Sequence, residues 1–463
     1  MVLCLIAACE PQSTAIDSSS SADLVMHNGA VYTVDESNPY TPDTGSLIIH
    51  CGVLIDGLSD VPIDDQLVVI INGRIQKVVP AHSAVFIAAT KLDLSEYTCL
   101  PGLIDTHTHI TDRANETADL SIYYHRSLAE ERIISKRNAE ITLAAGFTTI
   151  RNLGAYGGWS GRDIRDFINT GLVAGPRIQI AGFYLTIPGG GGDLVIPGID
   201  EKIIPPRVRM GIARGPEEFR NKAELAVSGG ADVLKIIASG AVLAFGGVPG
   251  SPEMTPDEIA AVVDVGHRAG IKVTAHAHGA QSIKDAILAG VDSIEHASFA
   301  DDEAIKLAAS RQIAFSMDVY NGNYIAAVGR DQGWPEEFLT KNDETVDEQR
   351  TVFQKALKSG VPIIFGTDAA VYPHGDNALQ FAIMVEHGML PMEAIKSATS
   401  VASRYIGWEK SVGAITPGLF GDIIAVKGNP LDNIALLNNI DVVIKGGKIF
   451  KLNNRILNQI REN

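Results

Sequence analysis

The stretch LPGLIDTHTHI, residues 100–110, is an apolar run that ends at two histidines separated by one threonine. In an extended strand, residues two positions apart point to the same side, so His107 and His109 would lie side by side at the strand end. Two adjacent imidazoles form half of a typical metal site. Because short His-x-His pairs also occur in surface loops, this pair predicts a metal site only if further ligands end neighbouring strands.

Seven more short apolar segments follow this one, and segments with helical periodicity separate them. The eight strand candidates are GLIDTHTH (102–109), TTIRNLG (148–154), RIQIAG (177–182), DVLKIIAS (232–239), KVTAHAH (272–278), DSIEHA (292–297), IAFSMDV (313–319) and PIIFGTD (362–368). Eight strands that alternate with helices predict an α/β fold of the (β/α)₈ TIM-barrel type. In such a barrel the carboxyl ends of all strands meet at one mouth.

Five of these strands carry residues of types that ligate metals at or near their ends. The residues are His107, His109, Lys235, His276, His278, His296 and Asp368. Each has an ordinary explanation when it is considered alone. Lys235 could extend its amine to solvent, His296 could be a satisfied core histidine, and Asp368 could cap the next helix. Their convergence at one barrel mouth instead favours a metal-dependent active site.

The segments before and after the barrel have short alternating runs with turns, which predict one small β-sandwich domain built from both chain ends. We expect a leader and tether at 1–22, the N-terminal part of the β domain at 23–99, the barrel at 100–408 and the C-terminal part of the β domain at 409–463. The segment IAAC resembles the end of a bacterial lipoprotein signal, with Cys9 as the lipidated residue. An exported or periplasmic lipoprotein is therefore expected, and a cytoplasmic protein with a mis-set start codon is the alternative.

Composition restricts the partners and the kind of metal site. The formal net charge of −17 argues against nucleic acid and anionic membranes as partners. The four cysteines, Cys4, Cys9, Cys51 and Cys99, form no C-x-x-C pair. A thiolate zinc site is therefore not indicated, and His, Asp, Glu or Lys must hold any metal. We also expect a homo-oligomer.

Five motifs carry a resemblance to a known family. These motifs are PGLIDTHTH, the single lysine of the fourth strand, VTAHAHG, SIEHAS and GTDAA. Together they resemble the amidohydrolase superfamily, in its imidazolonepropionase-like and prolidase-like branch. The resemblance covers about residues 46–450. Within that branch, SMDVYN and VYPHGDNALQFAIMV are similar to the metal-dependent carboxypeptidases and dipeptidases that act on Xaa-Arg and Xaa-Lys. Amidohydrolases that hydrolyse ochratoxin are close to this group and cleave a related amide.

The resemblance implies two divalent metal ions, for which neutral imidazoles suggest zinc. By that resemblance, His107 and His109 bind the more buried ion, and His276 and His296 bind the more exposed one. Lys235, carboxylated by CO₂, would bridge the two ions, because a carbamate supplies the anionic oxygens that an ammonium lacks.

Asp368 would ligate a metal and act as the base that orients a metal-bound hydroxide, then pass its proton to the leaving amine. Spacing does not choose between His276 and His278 as a ligand, since both point to one face of the strand. The family pattern favours His276. His278 is then a candidate for polarising the scissile carbonyl or a residue that supports the ligands.

Substrate-binding residues are predicted just beyond the ligands, at Asp318, Tyr320, Tyr372 and His374. An acidic rim in an acidic protein favours substrates with a cationic side chain, such as Xaa-Arg, Xaa-Lys and N-acyl amino acids of that type. The competing interpretation is an apolar pocket that prefers C-terminal Phe, Leu or Pro. The glycine-rich loop FYLTIPGGGGDLVIPG (183–198), which is expected to lie over the barrel mouth, lacks the histidine that relatives often carry there.

The sequence thus predicts a binuclear zinc hydrolase that cleaves the amide next to a C-terminal amino acid. A cyclic-amide hydrolase of the imidazolonepropionase type and an ochratoxin-type amide hydrolase are enzymatic alternatives. A non-catalytic metal-binding lipoprotein is an alternative of another class. The presence of Asp368 argues against it, since a binding protein needs no base.

Overall fold

The computed structural model describes residues 45–85 and 87–457 in full, and the backbone of two short strands nearer the amino terminus. Those strands, β1 (Leu24–His27) and β2 (Ala30–Thr33), pair antiparallel as a hairpin. The hairpin belongs to a unit separate from the one that begins at Thr44. Cys9, the residue predicted to be lipidated, lies outside the described residues.

Eight parallel strands form the centre of the larger unit, and they coincide with the eight strand candidates. They are β7 (Leu103–Thr108), β8 (Phe147–Asn152), β9 (Arg177–Ile180), β10 (Val233–Ile237), β11 (Lys272–Gly279), β12 (Ser293–Phe299), β13 (Ala314–Ser316) and β14 (Ile363–Ile364). β7 to β9 pair in chain order as one group, and β10 to β14 pair in chain order as another. In most of these strands every residue is buried, as expected where helices cover a parallel sheet.

Two short contacts join these groups into a ring. Thr108 at the end of β7 pairs in parallel with Ala369, just beyond β14, and Leu185, beyond β9, pairs in parallel with Ile236 of β10. Backbone hydrogen bonds support both closures, since His109 donates to Ala369 and Leu185 donates to Lys235. The eight strands therefore close on themselves, which confirms the predicted (β/α)₈ barrel.

Helices follow each barrel strand and cover the outside of the ring. The α-helices are α1 (Ile122–His125), α2 (Leu128–Ala144), α3 (Ser160–Asn169), α4 (Gly215–Ser228), α5 (Pro256–Arg268), α6 (Ala280–Ala289), α7 (Asp302–Arg311), α8 (Asn321–Val328), α9 (Glu336–Lys358), α10 (Leu379–Glu386), α11 (Pro391–Ser397) and α12 (Ser400–Tyr405). Single 3₁₀ turns span Ala114–Glu116, Glu201–Ile203, Pro206–Arg209 and Ile434–Asn438. Helices α2 and α5 begin at capping boxes, in which Ser127 pairs with Glu130 and Thr255 pairs with Glu258.

The remaining strands form one eight-stranded sheet that draws on both sides of the barrel sequence. They are β3 (Ser46–Leu54), β4 (Ile63–Ile71), β5 (Arg74–Pro80), β6 (Thr90–Pro101), β15 (Ile423–Lys427), β16 (Val442–Lys445), β17 (Lys448–Leu452) and β18 (Arg455–Ile456). Antiparallel pairing between β6 and β15 joins the early strands to the late ones. This sheet is the small β domain expected from the two chain ends, whose exact boundaries stay a prediction.

The sheet curls so that its two halves enclose a common core. Gly421 donates a backbone hydrogen bond to Gly73 in the turn between β4 and β5, and Gly447 between β16 and β17 donates to Gly421. Side chains from both halves, Ile75 and Ile444 among them, pack in one buried apolar cluster. In the same core Cys51 of β3 and Cys99 of β6 form a disulfide. Among the residues described, none of the helices combines the length and apolar character needed to cross a lipid bilayer.

Candidate active site

The first two predicted ligands lie where β7 reaches the barrel mouth. Asp368 Oδ1 lies 3.3 Å from His107 Nε2 and 3.0 Å from His109 Nε2. Asp368 follows β14 and adopts φ of 58°, a left-handed conformation that an aspartate tolerates better than most residues. The closure of the ring between β14 and β7 therefore brings these three residues together.

A second group of ligands lies on β11 and β12. One ring nitrogen from each of His276, His278 and His296 falls within 4.8 Å of the other two. His296 also belongs to a group with His107 and Asp368 in which the ligand atoms lie within 4.8 Å of one another. Because His296 belongs to both, the two groups form one continuous set of metal-ligating side chains.

Lys235 projects from β10 into the same region and is almost completely buried, with 2% of its surface exposed. Within the described part of the chain, its Nζ makes no hydrogen bond. Burial lowers the pKa of this amine to about 8. An unpartnered buried amine beside two histidine groups fits a lysine that is carboxylated and shared by two cations.

The electrostatics of the site differ from one imidazole to the next. Burial lowers the pKa of His107 to about 4, and burial together with His296 lowers the pKa of His278 well below its usual value. Burial opposes ionisation of Asp368, but the neighbouring His107 and His109 outweigh it and hold its pKa well below the usual range. Burial also opposes the charged form of His109 and His296, but Asp368 and Asp318 respectively outweigh it and raise the pKa of these two rings. The site thus combines imidazoles with an ionised carboxylate, which is the donor set of zinc enzymes.

Two charged residues behind the ligands were missed by the sequence reasoning. Arg151 of β8 donates to Glu295 Oε1 at 2.7 Å, and Glu295 Oε2 lies 3.1 Å from His107 Nδ1. A carboxylate at Nδ1 orients an imidazole so that Nε2 faces the metal. Each of the two interrupts a buried strand, as Lys235 does, and that signal could have identified them.

Asp105, in the middle of β7, supports the site from within the strand. Its carboxylate accepts hydrogen bonds from Thr367 Oγ1 at 2.5 Å and from Asn377 Nδ2 at 2.7 Å. Burial raises the pKa of Asp105 to about 7 despite these bonds. Since Thr367 directly precedes Asp368, this network fixes the loop that carries the predicted base.

A cavity of about 180 Å³ opens over the metal-ligating residues. Aromatic and aliphatic side chains form much of its wall, including Tyr123, Tyr156, Tyr184, Ile237, Leu243 and Val371. Arg113 also lines the cavity, on the loop that follows His109. Its Nε donates to Glu116 Oε1 at 2.8 Å, and 43% of its side chain remains exposed. The sequence reasoning missed Arg113, although it stands only four residues after a predicted ligand.

The residues predicted to bind substrate lie in different places. Asp318 lines the cavity, but its carboxylate contacts His296 Nδ1 at 2.9 Å and accepts a hydrogen bond from Gln349. Tyr320 and Tyr372 pack against each other, with ring centroids 4.9 Å apart, and neither is among the lining residues. Asp112 also lines the cavity, and its carboxylate lies 3.3 Å from Arg126 Nη1. Both lining carboxylates other than Asp368 are therefore engaged by side chains of the protein itself.

His374 is buried beneath the ligands. Its ring contacts the backbone oxygen of His109 at 3.2 Å and Thr142 Oγ1 at 3.2 Å. Burial lowers its pKa to about 4. This position suits a residue that supports the loop after β7, and it is not one that a substrate could contact.

The glycine-rich loop reaches the cavity, as expected. Gly191 and Gly192 line it, and a Cβ added at Gly192 would lie 2.9 Å from Ile237 Cγ1. The loop therefore packs too closely on β10 to accept a larger residue at this position. No histidine stands among these glycines. The loop contributes backbone at Gly191 and Gly192 and the ring of Tyr184, whose hydroxyl lies 3.1 Å from His109 Nδ1.

Comparisons with known proteins agree with this geometry. The amidohydrolase family profile matches residues 98–450. The ochratoxinase of Aspergillus niger is 30% identical over 430 residues, which cover 89% of this chain and 88% of that protein. A solved Xaa-Pro dipeptidase with methionine bound in its active site is 36% identical, with a TM-score of 0.82 over 88% of this chain and 100% of the other. A prolidase solved with N-methylphosphonate-L-proline is 27% identical, with a TM-score of 0.81 and the same coverage of both chains.

Proposed function

Because this chain belongs to the amidohydrolase family and is a hydrolase of C–N bonds, we propose that it cleaves the amide next to a C-terminal amino acid whose carboxylate is free. The observation that carries the proposal is the combination of groups in one cavity. Metal-ligating residues, the guanidinium of Arg113 and apolar side chains all line it. A dipeptide or an N-acyl amino acid has the matching parts.

The proposal includes two divalent cations, with zinc as the expected metal. His107 and His109 would hold one cation, His276 and His296 the other, and carboxylated Lys235 would lie between them. The close approach of these side chains and the unpartnered Lys235 amine support this assignment. When bound, such cations polarise the scissile carbonyl and make an attacking water more acidic.

Asp368 is the residue proposed to move the proton. Its carboxylate faces the ligands of both groups, and Asn321 Nδ2 donates to Oδ2 at 3.3 Å. Asp368 would accept a proton from the attacking water and deliver it to the nitrogen of the leaving amine, so that the products are a carboxylate and a free amino acid. His278, at the same mouth, would donate a hydrogen bond to the carbonyl oxygen.

Arg113 is proposed to bind the free carboxylate of the substrate. Among the described residues that line the cavity, Arg113 is the one cationic side chain besides the histidines and Lys235. A guanidinium binds a carboxylate through paired, charge-assisted hydrogen bonds. Glu116 Oε1 accepts hydrogen bonds from both Nε and Nη2 of Arg113, and 43% of the side chain remains exposed.

The apolar wall supports an apolar C-terminal residue as the preferred leaving group. The Xaa-Pro dipeptidase and the prolidase that resemble this chain were solved with methionine and with N-methylphosphonate-L-proline, whose amino-acid side chains are both apolar. A preference for Xaa-Arg and Xaa-Lys, favoured by the sequence, would need the acidic groups to face the substrate. Asp318 instead contacts His296, so we place the cationic substrates second.

A panel of substrates tests this proposal. Zinc-loaded protein should release the C-terminal amino acid from Ala-Phe, Ala-Pro, Ala-Arg, Ala-Glu and N-acetyl-Phe, with the apolar substrates giving the highest kcat/KM. Ala-Phe amide, which lacks the carboxylate, should be a poor substrate. If Ala-Arg is the best of the set, the wall has been misinterpreted. If only cyclic amides react, the imidazolonepropionase-like alternative is correct, and if nothing reacts, the hydrolase proposal fails.

We also propose that the protein is exported. The Cys51–Cys99 disulfide supports this, since disulfides persist mainly in oxidising compartments. Cell fractionation with antibody detection tests the location. Recovery of the full-length protein from the cytosol with both thiols reduced would contradict export.

A further inference from the structure

His276 and His278 lie on the same face of β11, with ring centroids 4.7 Å apart, and only one of them is needed as a metal ligand. Their other contacts differ. His276 Nε2 lies 3.2 Å from the backbone oxygen of Gly240, whereas His278 Nδ1 lies 2.8 Å from Ser298 Oγ. These contacts decide which ring nitrogen carries the proton, and therefore what each ring can do.

The contact of His276 has one possible direction. A carbonyl oxygen accepts hydrogen bonds and cannot donate, so His276 Nε2 must carry the proton. Its Nδ1 then has a free lone pair. A neutral imidazole with one lone pair and a fixed second nitrogen is the usual form of a metal-ligating histidine. His276 is thus prepared to bind a cation through Nδ1.

The contact of His278 has the opposite direction. Ser298 is completely buried, and within residues 45–85 and 87–457 its hydroxyl has His278 Nδ1 as its single hydrogen-bond partner. Ser298 borders the cavity, and His278 Nδ1 is the acceptor that the described residues offer to its hydroxyl proton. Donation from Ser298 to Nδ1 satisfies that proton, since a buried donor without an acceptor is unfavourable. His278 Nε2 then carries the ring proton, which prevents it from binding a cation and makes it a donor.

The backbone of β12 is built to bring Ser298 to this place. Ala277 pairs with His296, but Gly279 pairs with Phe299, so β12 holds one extra residue between these pairs. His296 and Ala297 have positive φ values of 72° and 52°. A bulge of this kind redirects side chains and is common beside active sites. Without it, Ser298 would stand opposite Gly279, one position beyond His278.

We propose that Ser298 is a positioning residue that holds His278 in its Nε2–H tautomer, so that His278 donates a hydrogen bond to the carbonyl oxygen of the scissile amide while His276 acts as the ligand. The role of the carbonyl oxygen rests on the proposed function. The tautomer and the choice of ligand do not depend on any substrate.

A matched pair of variants tests the choice of ligand without an activity measurement. Purified His278→Gln should retain the full metal content of the wild-type protein, whereas His276→Gln should lose about half of it. Equal loss in both variants, or loss in His278→Gln alone, would overturn the assignment. Because metal content is counted on protein without substrate, this result is independent of whether the amide substrates are correct.

Nitrogen-15 NMR of histidine-labelled, zinc-loaded protein tests the tautomer directly. The signal that disappears in His278→Gln should show a protonated Nε2 and an unprotonated Nδ1. Ser298→Thr keeps the hydroxyl and should keep this signal, whereas Ser298→Ala should change it. A protonated Nδ1 in the wild-type protein would refute the proposal.

Kinetics then separate positioning from general structural support. Ser298→Ala should keep its metal and lower kcat by about tenfold with little change in KM, since one oriented hydrogen bond is lost. Ser298→Thr should restore most of that loss. Wild-type kcat in a folded, metal-replete Ser298→Ala protein would show that Ser298 has no positioning role.

Discussion

Arg151 and Glu295 form an ion pair inside the barrel, with 2.7 Å between Arg151 Nη2 and Glu295 Oε1, and neither side chain reaches solvent. Removal of one partner leaves an uncompensated buried charge. We therefore expect Arg151→Met to lower the free energy of unfolding by about 3–5 kcal/mol, measured by urea denaturation of the metal-free protein. The double variant Arg151→Met/Glu295→Met should recover part of this loss.

The exposed pair Arg132–Asp163, at 2.6 Å, supplies the control. Arg132→Met should cost less than about 1 kcal/mol, because solvent screens a surface pair. Equal costs for Arg132→Met and Arg151→Met would mean that the buried pair has no special importance for stability.

Metal content is the next prediction. His296 belongs to both ligand groups, so His296→Ala should remove about one divalent ion per chain or more, together with hydrolysis. His82 is an exposed histidine outside the barrel, and His82→Ala should change neither quantity. Elemental analysis of the dialysed proteins measures the difference, and full metal and activity in His296→Ala would contradict the site.

Lys235 should be carboxylated when the metals are present. Lys235→Ala should lose metal and activity, and small carboxylic acids added to the buffer should restore part of both. Lys235→Arg should not be restored, since the guanidinium stays cationic and fills the space. Intact-protein mass spectrometry under native conditions should find about 44 Da of added CO₂ on the wild-type chain, as the chemistry of a carbamate requires. A bare amine in fully metallated protein would be the contrary result.

Asp368 is expected to matter more for rate than for substrate binding. Asp368→Asn keeps an oxygen at the site but cannot accept a proton, so kcat should fall by about 10²-fold or more while KM changes little. Asp331 is exposed and distant in sequence from the ligands, and Asp331→Asn serves as the control. Turnover near the wild-type value in Asp368→Asn would assign the base to another residue.

Arg113 should act on substrates with a free carboxylate. Arg113→Gln should raise KM for Ala-Phe by about 10- to 100-fold, the effect of losing a charge-assisted contact. The slow hydrolysis of Ala-Phe amide should be almost unchanged by the same substitution. Parallel effects on both substrates would show that Arg113 supports the loop and does not bind the carboxylate.

The barrel and the ligands could be predicted because their signals are local. Each strand is a short apolar run, and the rule that parallel strands end at one mouth places His107, Lys235 and Asp368 together without any coordinates. Lys235 was detectable because a lysine inside a buried strand needs a partner. Arg151 and Glu295 carry the same signal, and attention to every charged residue inside a strand would have found them.

Loop conformation and cysteine pairing were not predictable in the same way. After Asp368 the chain folds back, with Ala370 donating to Tyr372 O at 3.0 Å, and this turn directs Tyr372 and His374 away from the cavity. Cys51 and Cys99 are 48 residues apart, and only the pairing of β3 with β6 brings them together. Neither result follows from residue type or spacing.

The pairing of β6 with β15 has a consequence for biosynthesis. Pro101 pairs with Ile423, so one edge of β6 has no partner until about 320 more residues have been added, which takes roughly 16–64 s at typical synthesis rates. An unpaired strand edge is a template for aggregation. Nascent chains stalled at residue 420 should therefore be cleaved by proteases within 46–101, and release of the last strands should protect that segment. The β domain, whose first strands are synthesised before the barrel, is therefore completed only after the barrel has been synthesised.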